Sequence, residues 1–215
     1  MKPILIVVST YNRIDLTGIS LDSIKRNKSQ CSNVLVLDDA STEYDAVWLR
    51  GWGFSVQRSE KTVGVGLAAF RRYAEFVSSD YQYICALDND VLLSKDFDLE
   101  MLKLFCEADD GLLTVASGYY SSTQQVYPPK GPRPSTYWQA TTINGISQFT
   151  SALTATKVLN AMEGKWEHPW DANISKVLSR IAVPKRSLVQ HIGNHGSGVN
   201  GPSDDVAVDF VGDGL

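Results

Sequence analysis

Positive charge, cysteine and long apolar runs are scarce in this 215-residue sequence. Twenty Lys and Arg stand against 24 Asp and Glu, a net charge of -4. With no basic excess to hold a phosphate backbone, nucleic acid is not expected as a partner, and any bound anion must be neutralised locally. The three cysteines, Cys31, Cys85 and Cys106, are odd in number and show no CxxC spacing. That argues against a disulfide framework, and they read as buried thiols of a reducing compartment. The N-terminal apolar run Pro3 to Val8 is too short for a signal-peptide core or a membrane span and leads straight into polar residues. The expectation is a cytoplasmic chain with no membrane span. No internal repeat interrupts the reading.

What is present is core-forming material, 43% hydrophobic, enough for one sizeable domain. We expect that domain over residues 1–197. Residues 198–215 read as a polar tail or linker, leading on to further domains if the protein is longer. The first half alternates β-branched runs with helical patterns, the signature of a mostly parallel α/β sheet flanked by helices. Ile4 to Val8, Asn33 to Leu37, Phe54 to Gln57 and Tyr83 to Leu87 read as strands. Ile14 to Ile24 and Leu67 to Val77 carry helical spacing. Further helices are expected over Phe97 to Ala108, Thr154 to Met162 and Trp170 to Ile181, with another strand over Leu112 to Tyr120. The proline-rich stretch Tyr127 to Pro134 cannot continue either element. The segment Tyr120 to Gln139 is therefore expected to be a loop that orders over a ligand.

In an open α/β sheet, ligands bind where strands give way to loops at their C-terminal ends. Three expected strands end in polar residues: Ser9-Thr10-Tyr11, Asp38-Asp39, and Asp88-Asn89-Asp90. Singly, each has a plain structural alternative: Asp39 and Ser41 could cap the following helix, and Asp90 could simply begin a loop. Alternate carboxylates can also offer oxygens to a hard divalent cation, Mg²⁺ or Mn²⁺, which would let an acidic protein hold a diphosphate.

The ordered motifs VVSTYNR, VLVLDDAST, VGVGLAAFRRYA, ALDND and PWDANIS with QHIGNH resemble the GT-A fold nucleotide-sugar glycosyltransferases of the large inverting family 2 type, across residues 3 to 197. The resemblance implies a metal-dependent transfer of a sugar from a nucleoside diphosphate, UDP foremost, to a glycan or other hydroxyl acceptor. It implies that Ser9, Thr10, Tyr11 and Arg13 serve the nucleotide, with the Tyr11 ring against the base, and that Asp38 or Asp39 binds uracil or ribose. Gly64 and Gly66 would let the backbone pass close to the donor, and Arg71, ahead of Arg72, would face the diphosphate. Asp88 and Asn89 would touch the donor. Asp88 and Asp90 would bind the cation, with His191 as third ligand and His195 as the fallback, while His168 could meet the acceptor. Asp171 matches the position of the catalytic base, although it could also merely stabilise a helix start.

Two departures stand out. Trp170 occupies the place before Asp171 where the family usually has an acid, and Phe70-Arg71-Arg72 replaces the frequent Ala-Arg-Asn. Trp138, Trp166 and Trp170 could stack on a sugar ring or belong to the core. Two rival readings are a haloacid dehalogenase-like phosphatase with Asp88 as nucleophile, and a non-catalytic nucleotide-sugar-binding module.

Overall fold

The computed structural model describes residues 3–109, 111–129, 136–167, 169–193 and 206–212. In chain order the elements are β1 (Ile4–Thr10), α1 (Ile14–Asn27), β2 (Ser32–Asp38), α2 (Ala46–Arg50), β3 (Ser55–Arg58), α3 (Val65–Val77), β4 (Tyr83–Leu87), β5 (Val91–Leu93), α4 (Phe97–Ala108), β6 (Thr114–Ala116), β7 (Val126–Tyr127), β8 (Tyr137–Ala140), β9 (Ser147–Ser151), α5 (Ala152–Ala161), α6 (Trp170–Val177), β10 (Arg180–Pro184) and β11 (Val189–His191). Among the described residues one sheet has nine strands in the order β3-β2-β1-β4-β9-β6-β10-β8-β7, and β5 and β11 form a separate ribbon. β3, β2, β1 and β4 are mutually parallel. β9 runs antiparallel to both β4 and β6.

β1 explains the layering. Ile4, Ile6 and Val8 face one core with Leu21 and Ile24 of α1 and Phe97 and Met101 of α4. Leu5 and Val7 face the other, with Ala69, Tyr73 and Phe76 of α3, Val158 of α5 and Ile174 of α6. A strand buried on both faces reads as a continuous apolar run, which is why β1, β2 and β4 were visible in the sequence. Each fully buried large side chain in these layers contributes roughly 1.5–3 kcal/mol. Gly66 is a packing requirement: a Cβ there would overlap the Trp166 carbonyl.

Several expectations need correction. Only Cys85 is buried; Cys31, in the turn before β2, and Cys106, on the outer side of α4, are exposed. The strand expected over Leu112 to Tyr120 is confined to Thr114–Ala116. The helix expected to reach Ile181 stops at Val177, because Arg180 already begins β10. The segment from Tyr120 to Gln139 is not wholly loop, since β7 and part of β8 fall within it and pair with each other. Beyond residue 198, Val208 donates its N–H to the Tyr120 carbonyl and accepts from Ser187, and Ala207 bridges to Ser121. Among the described residues no helix is long and apolar enough to cross a membrane.

Candidate active site

The C-terminal ends of β1, β2 and β4 lie side by side, because β1 pairs in parallel with both neighbours. After β1, the chain turns through two consecutive left-handed residues, Asn12 (φ 51) and Arg13 (φ 59). Such conformations cost on the order of 1–3 kcal/mol each and persist only when the surroundings over-determine them. Here they do. The Asn12 side chain accepts from the Thr42 N–H at 2.7 Å, its N–H donates to Ser41 Oγ at 2.8 Å, and its carbonyl accepts from Thr17 and Tyr44. The strained turn aims Arg13 at Asp90, 2.7 Å away. Tyr11 stands 48% exposed at the strand end, and Ser9 Oγ is buried with no hydrogen-bond partner. Thr10, buried, donates to Asp38 at 3.3 Å.

The two carboxylates after β2 are engaged within the protein. Asp38 accepts from Ser41 and Thr10 on Oδ1 and pairs with Arg58 through Oδ2. Asp39 accepts from the N–H groups of Val63 and Gly64 and from Thr62 Oγ1 at 2.7 Å. It therefore satisfies donors just ahead of α3, not those of the following helix α2, which is capped by Asp45 instead. Gly64, at φ 83, precedes that helix in a conformation few other residues adopt. Arg71 donates to Ser59 Oγ, just past β3.

Arg72 is the inward arginine: 2% exposed, it donates to Asp88 at 3.0 Å. Burial pushes the Asp88 carboxyl up to about 6; Arg72 opposes that shift and Asp90 adds to it. The 36% of the Asp88 side chain that stays accessible limits how far burial alone can act. Asp90 behaves oppositely. Burial works against its ionisation, but His191 and Arg13 outweigh it and hold the carboxyl below the usual range. His191 Nε2 lies 3.2 Å from Asp90 Oδ2, while Oδ1 is buried without a hydrogen-bond partner. Gly193 closes this corner, since a Cβ there would overlap the Asp90 carboxylate. Asn89 turns away, donating to Thr17 Oγ1 at 2.6 Å and so tying the loop to α1.

Asp90 and His191 thus meet, whereas Asp88 is turned toward Arg72. Among the described residues no three His, Cys, Asp or Glu side chains converge on one point. Asp171 sits in the first turn of α6, with its carboxylate accepting from the Ala172 N–H at 2.8 Å. Trp166 and Trp170 are each 6% exposed and belong to the core beneath α3, while Trp138 lies against Lys185. His168 and His195 lie outside the described residues.

Sequence reasoning missed Arg58, which neutralises Asp38, and Gly193. It ranked Arg72 below Arg71. Helix phase held the signal: Ala69, Arg72, Tyr73 and Phe76 follow the i, i+3, i+4, i+7 spacing of one buried face.

The family model described as Glycosyl transferase family 2 matches residues 5–159. The chain belongs to that family, and its α/β architecture is the GT-A fold. That displaces the phosphatase reading, in which the Asp88 motif would open the fold rather than follow its fourth strand. Among curated proteins none matches the chain. Solved structures share the fold at low identity. TarS from S. aureus, residues 1–349, aligns with TM-score 0.57 and 15% identity over 88% of this chain and 60% of its own. The mannosyltransferase PcManGT from Pyrobaculum calidifontis, in complex with GDP-Man and Mn²⁺, gives 0.56 and 16% over 86% and 58%. GalNAc-T7 with UDP, GalNAc and Mn²⁺ gives 0.64 and 9% over 84% and 41%. The chain spans less than two thirds of each of these proteins.

Proposed function

We propose that this chain transfers a sugar, with inversion and with the help of a divalent cation, from a nucleoside diphosphate sugar to an acceptor hydroxyl on a glycan or another molecule. The observation that carries this reading is Asp90: one oxygen is fixed by Arg13 and His191, and the other is buried without a partner. An anionic oxygen left bare in a buried corner is costly unless a cation meets it. Asp90 and His191 would hold Mn²⁺ or Mg²⁺, with Asp88 beside them. Few protein ligands suffice where substrate phosphates complete the shell. When bound, the cation offsets the charge that builds on the leaving diphosphate.

The remaining work falls to this chain's own residues. Tyr11, exposed at the end of β1, offers a ring face to the base, and Ser9 an unused hydroxyl. UDP is favoured as the nucleotide because TarS also crystallises with UDP and with UDP-GlcNAc, and GalNAc-T7 with UDP, although PcManGT holds GDP-Man. Arg72 holds Asp88 at the donor side. Asp171, across the site in this reading, takes the proton of the acceptor hydroxyl as that oxygen attacks the anomeric carbon from the face opposite the diphosphate.

Calorimetry of UDP with and without Mn²⁺ tests the reading. Wild-type protein should bind UDP at least tenfold more tightly with the metal, and Asp90→Ala should lose that difference. Equal UDP affinity in the variant and the wild type under both conditions would sink it. A protein that binds UDP and Mn²⁺ tightly yet releases no sugar to any acceptor would instead be a binding module.

A further inference from the structure

Arg72 is the one lysine or arginine among the described residues that is buried. A buried guanidinium is costly unless it is compensated, and the Arg72 Nε has no hydrogen-bond partner, so the compensation falls to its Nη contacts and the ring beside it. One Nη donates to Asp88 at 3.0 Å and to the Gly145 carbonyl at 3.4 Å. Its carbon lies 5.5 Å from the centre of the Trp170 ring, within the range of a cation–π contact. Gly145 is wedged into the same unit: a Cβ there would come within 2.8 Å of the Trp170 ring and 3.8 Å of Asp88. Asp88, Arg72, Gly145 and Trp170 therefore form one tightly packed block from the end of β4 to the first residue of α6.

Beyond core packing, that helix is tied to its neighbours by Asn173, which donates to the Lys165 carbonyl, and by Ser175, which accepts from the Ile143 N–H. It is eight residues long, Pro169 supplies no side-chain cap, and only Trp170 and Ile174 are buried. We infer that Arg72 is a positioning residue, which fixes the start of α6 through the face of Trp170 and thereby sets where Asp171 meets the acceptor. Its charge on Asp88 is the other half of the same role, so the donor side and the base side of the site are set by one guanidinium. The catalytic arm of the test rests on the assignment of Asp171 as base; the structural arm does not.

The structural arm is hydrogen exchange on the whole chain. Arg72→Lys keeps the charge but loses the planar fork that both donates and stacks. It should speed exchange of the Asn173 and Ile174 amides about tenfold, with the amides of α1 unchanged. Trp170→Leu should do the same, and Trp170→Phe, which restores a ring face, should recover most of the protection. Unchanged exchange at α6 in both Arg72→Lys and Trp170→Leu overturns the inference. Should Arg72→Lys fail to fold, Arg72→Gln, which keeps a planar donor without the charge, takes its place in the exchange measurement.

The catalytic arm measures UDP release from UDP-GlcNAc with Mn²⁺. Arg72→Lys should lower kcat about 10- to 100-fold with KM little changed, the usual cost of a misplaced group. Because lysine keeps the charge beside Asp88, the remaining loss acts through Asp171, and adding Arg72→Lys to Asp171→Asn should lower kcat no further. Additive losses overturn the inference. If Asp171→Asn alone keeps full turnover, the base assignment falls, and the exchange result still decides whether Arg72 positions α6.

Discussion

Replacing Asp38 with Asn separates scaffold from ligand at the end of β2. The carboxylate is wholly buried, with Oδ1 accepting from Ser41 and Thr10 and Oδ2 paired with Arg58. Asparagine can keep the Oδ1 acceptor, but its NH₂ then faces a guanidinium, donor against donor. The lost hydrogen bond to a charged group is worth about 1.5–3 kcal/mol, and breaking a fully buried pair costs about 3–5 kcal/mol. Arg58 is 31% exposed on its side chain and keeps the carbonyls of Ser41 and Tyr44. The cost should therefore fall at about 2–3 kcal/mol. At about 2–4 °C per kcal/mol for a chain of this size, Tm should drop by about 4–12 °C. UDP affinity, measured by calorimetry below the melting range, should barely move. A variant that melts within about 2 °C of wild type yet loses UDP binding more than tenfold would refute the reasoning and return Asp38 to the ligand.

Tyr11→Ala should weaken UDP binding by about 5- to 100-fold, the range for a base stacked on an aromatic ring, with no change in Tm; equal affinity would remove Tyr11 from the base. Gly66→Ala should destabilise by several kcal/mol or prevent folding, since the new Cβ meets backbone at Trp166; a melt like that of wild type would show the contact to be soft. Asp171→Asn should cut transfer by about 10²- to 10⁴-fold while UDP affinity and Tm barely move. A variant that transfers at the wild-type rate would end the base assignment, and one that only melts earlier would leave Asp171 as a helix-start residue.

The part of the fold that was legible in the sequence is the part whose burial is apolar. β1, β2 and β4 announced themselves as runs of Val, Ile and Leu, and α1, α3 and α4 as spaced apolar stripes. β9 did not, because its sequence is Ser147-Gln148-Phe149-Thr150-Ser151. Yet it sits between β4 and β6 with Ser147, Gln148 and Thr150 buried. Those polar groups are matched by partners far along the chain: Tyr73 donates to Gln148 at 2.7 Å, and Thr150 donates to the Thr114 carbonyl at 2.8 Å. A strand that satisfies its buried polar atoms through non-local bonds leaves no local signature.

The same distinction governs the site. The aspartates at strand ends were readable because a charge after an apolar run is locally conspicuous. That Asp90 touches His191 depends on the ribbon pairing of β5 with β11, which sets Val91 opposite His191, 100 positions further along the chain. What decided between Arg71 and Arg72, by contrast, was available locally and is a matter of phase. With Ala69, Tyr73 and Phe76 marking the buried face of α3, position 72 falls inside it and position 71 at its edge. An arginine in a core phase must bring its own partners, and the partners that it finds are a candidate donor-side carboxylate and the ring that begins the helix of the candidate base. A charged side chain at a core position of a helix thus points to a site more sharply than one on the solvent face, because only the first has to be compensated by structure.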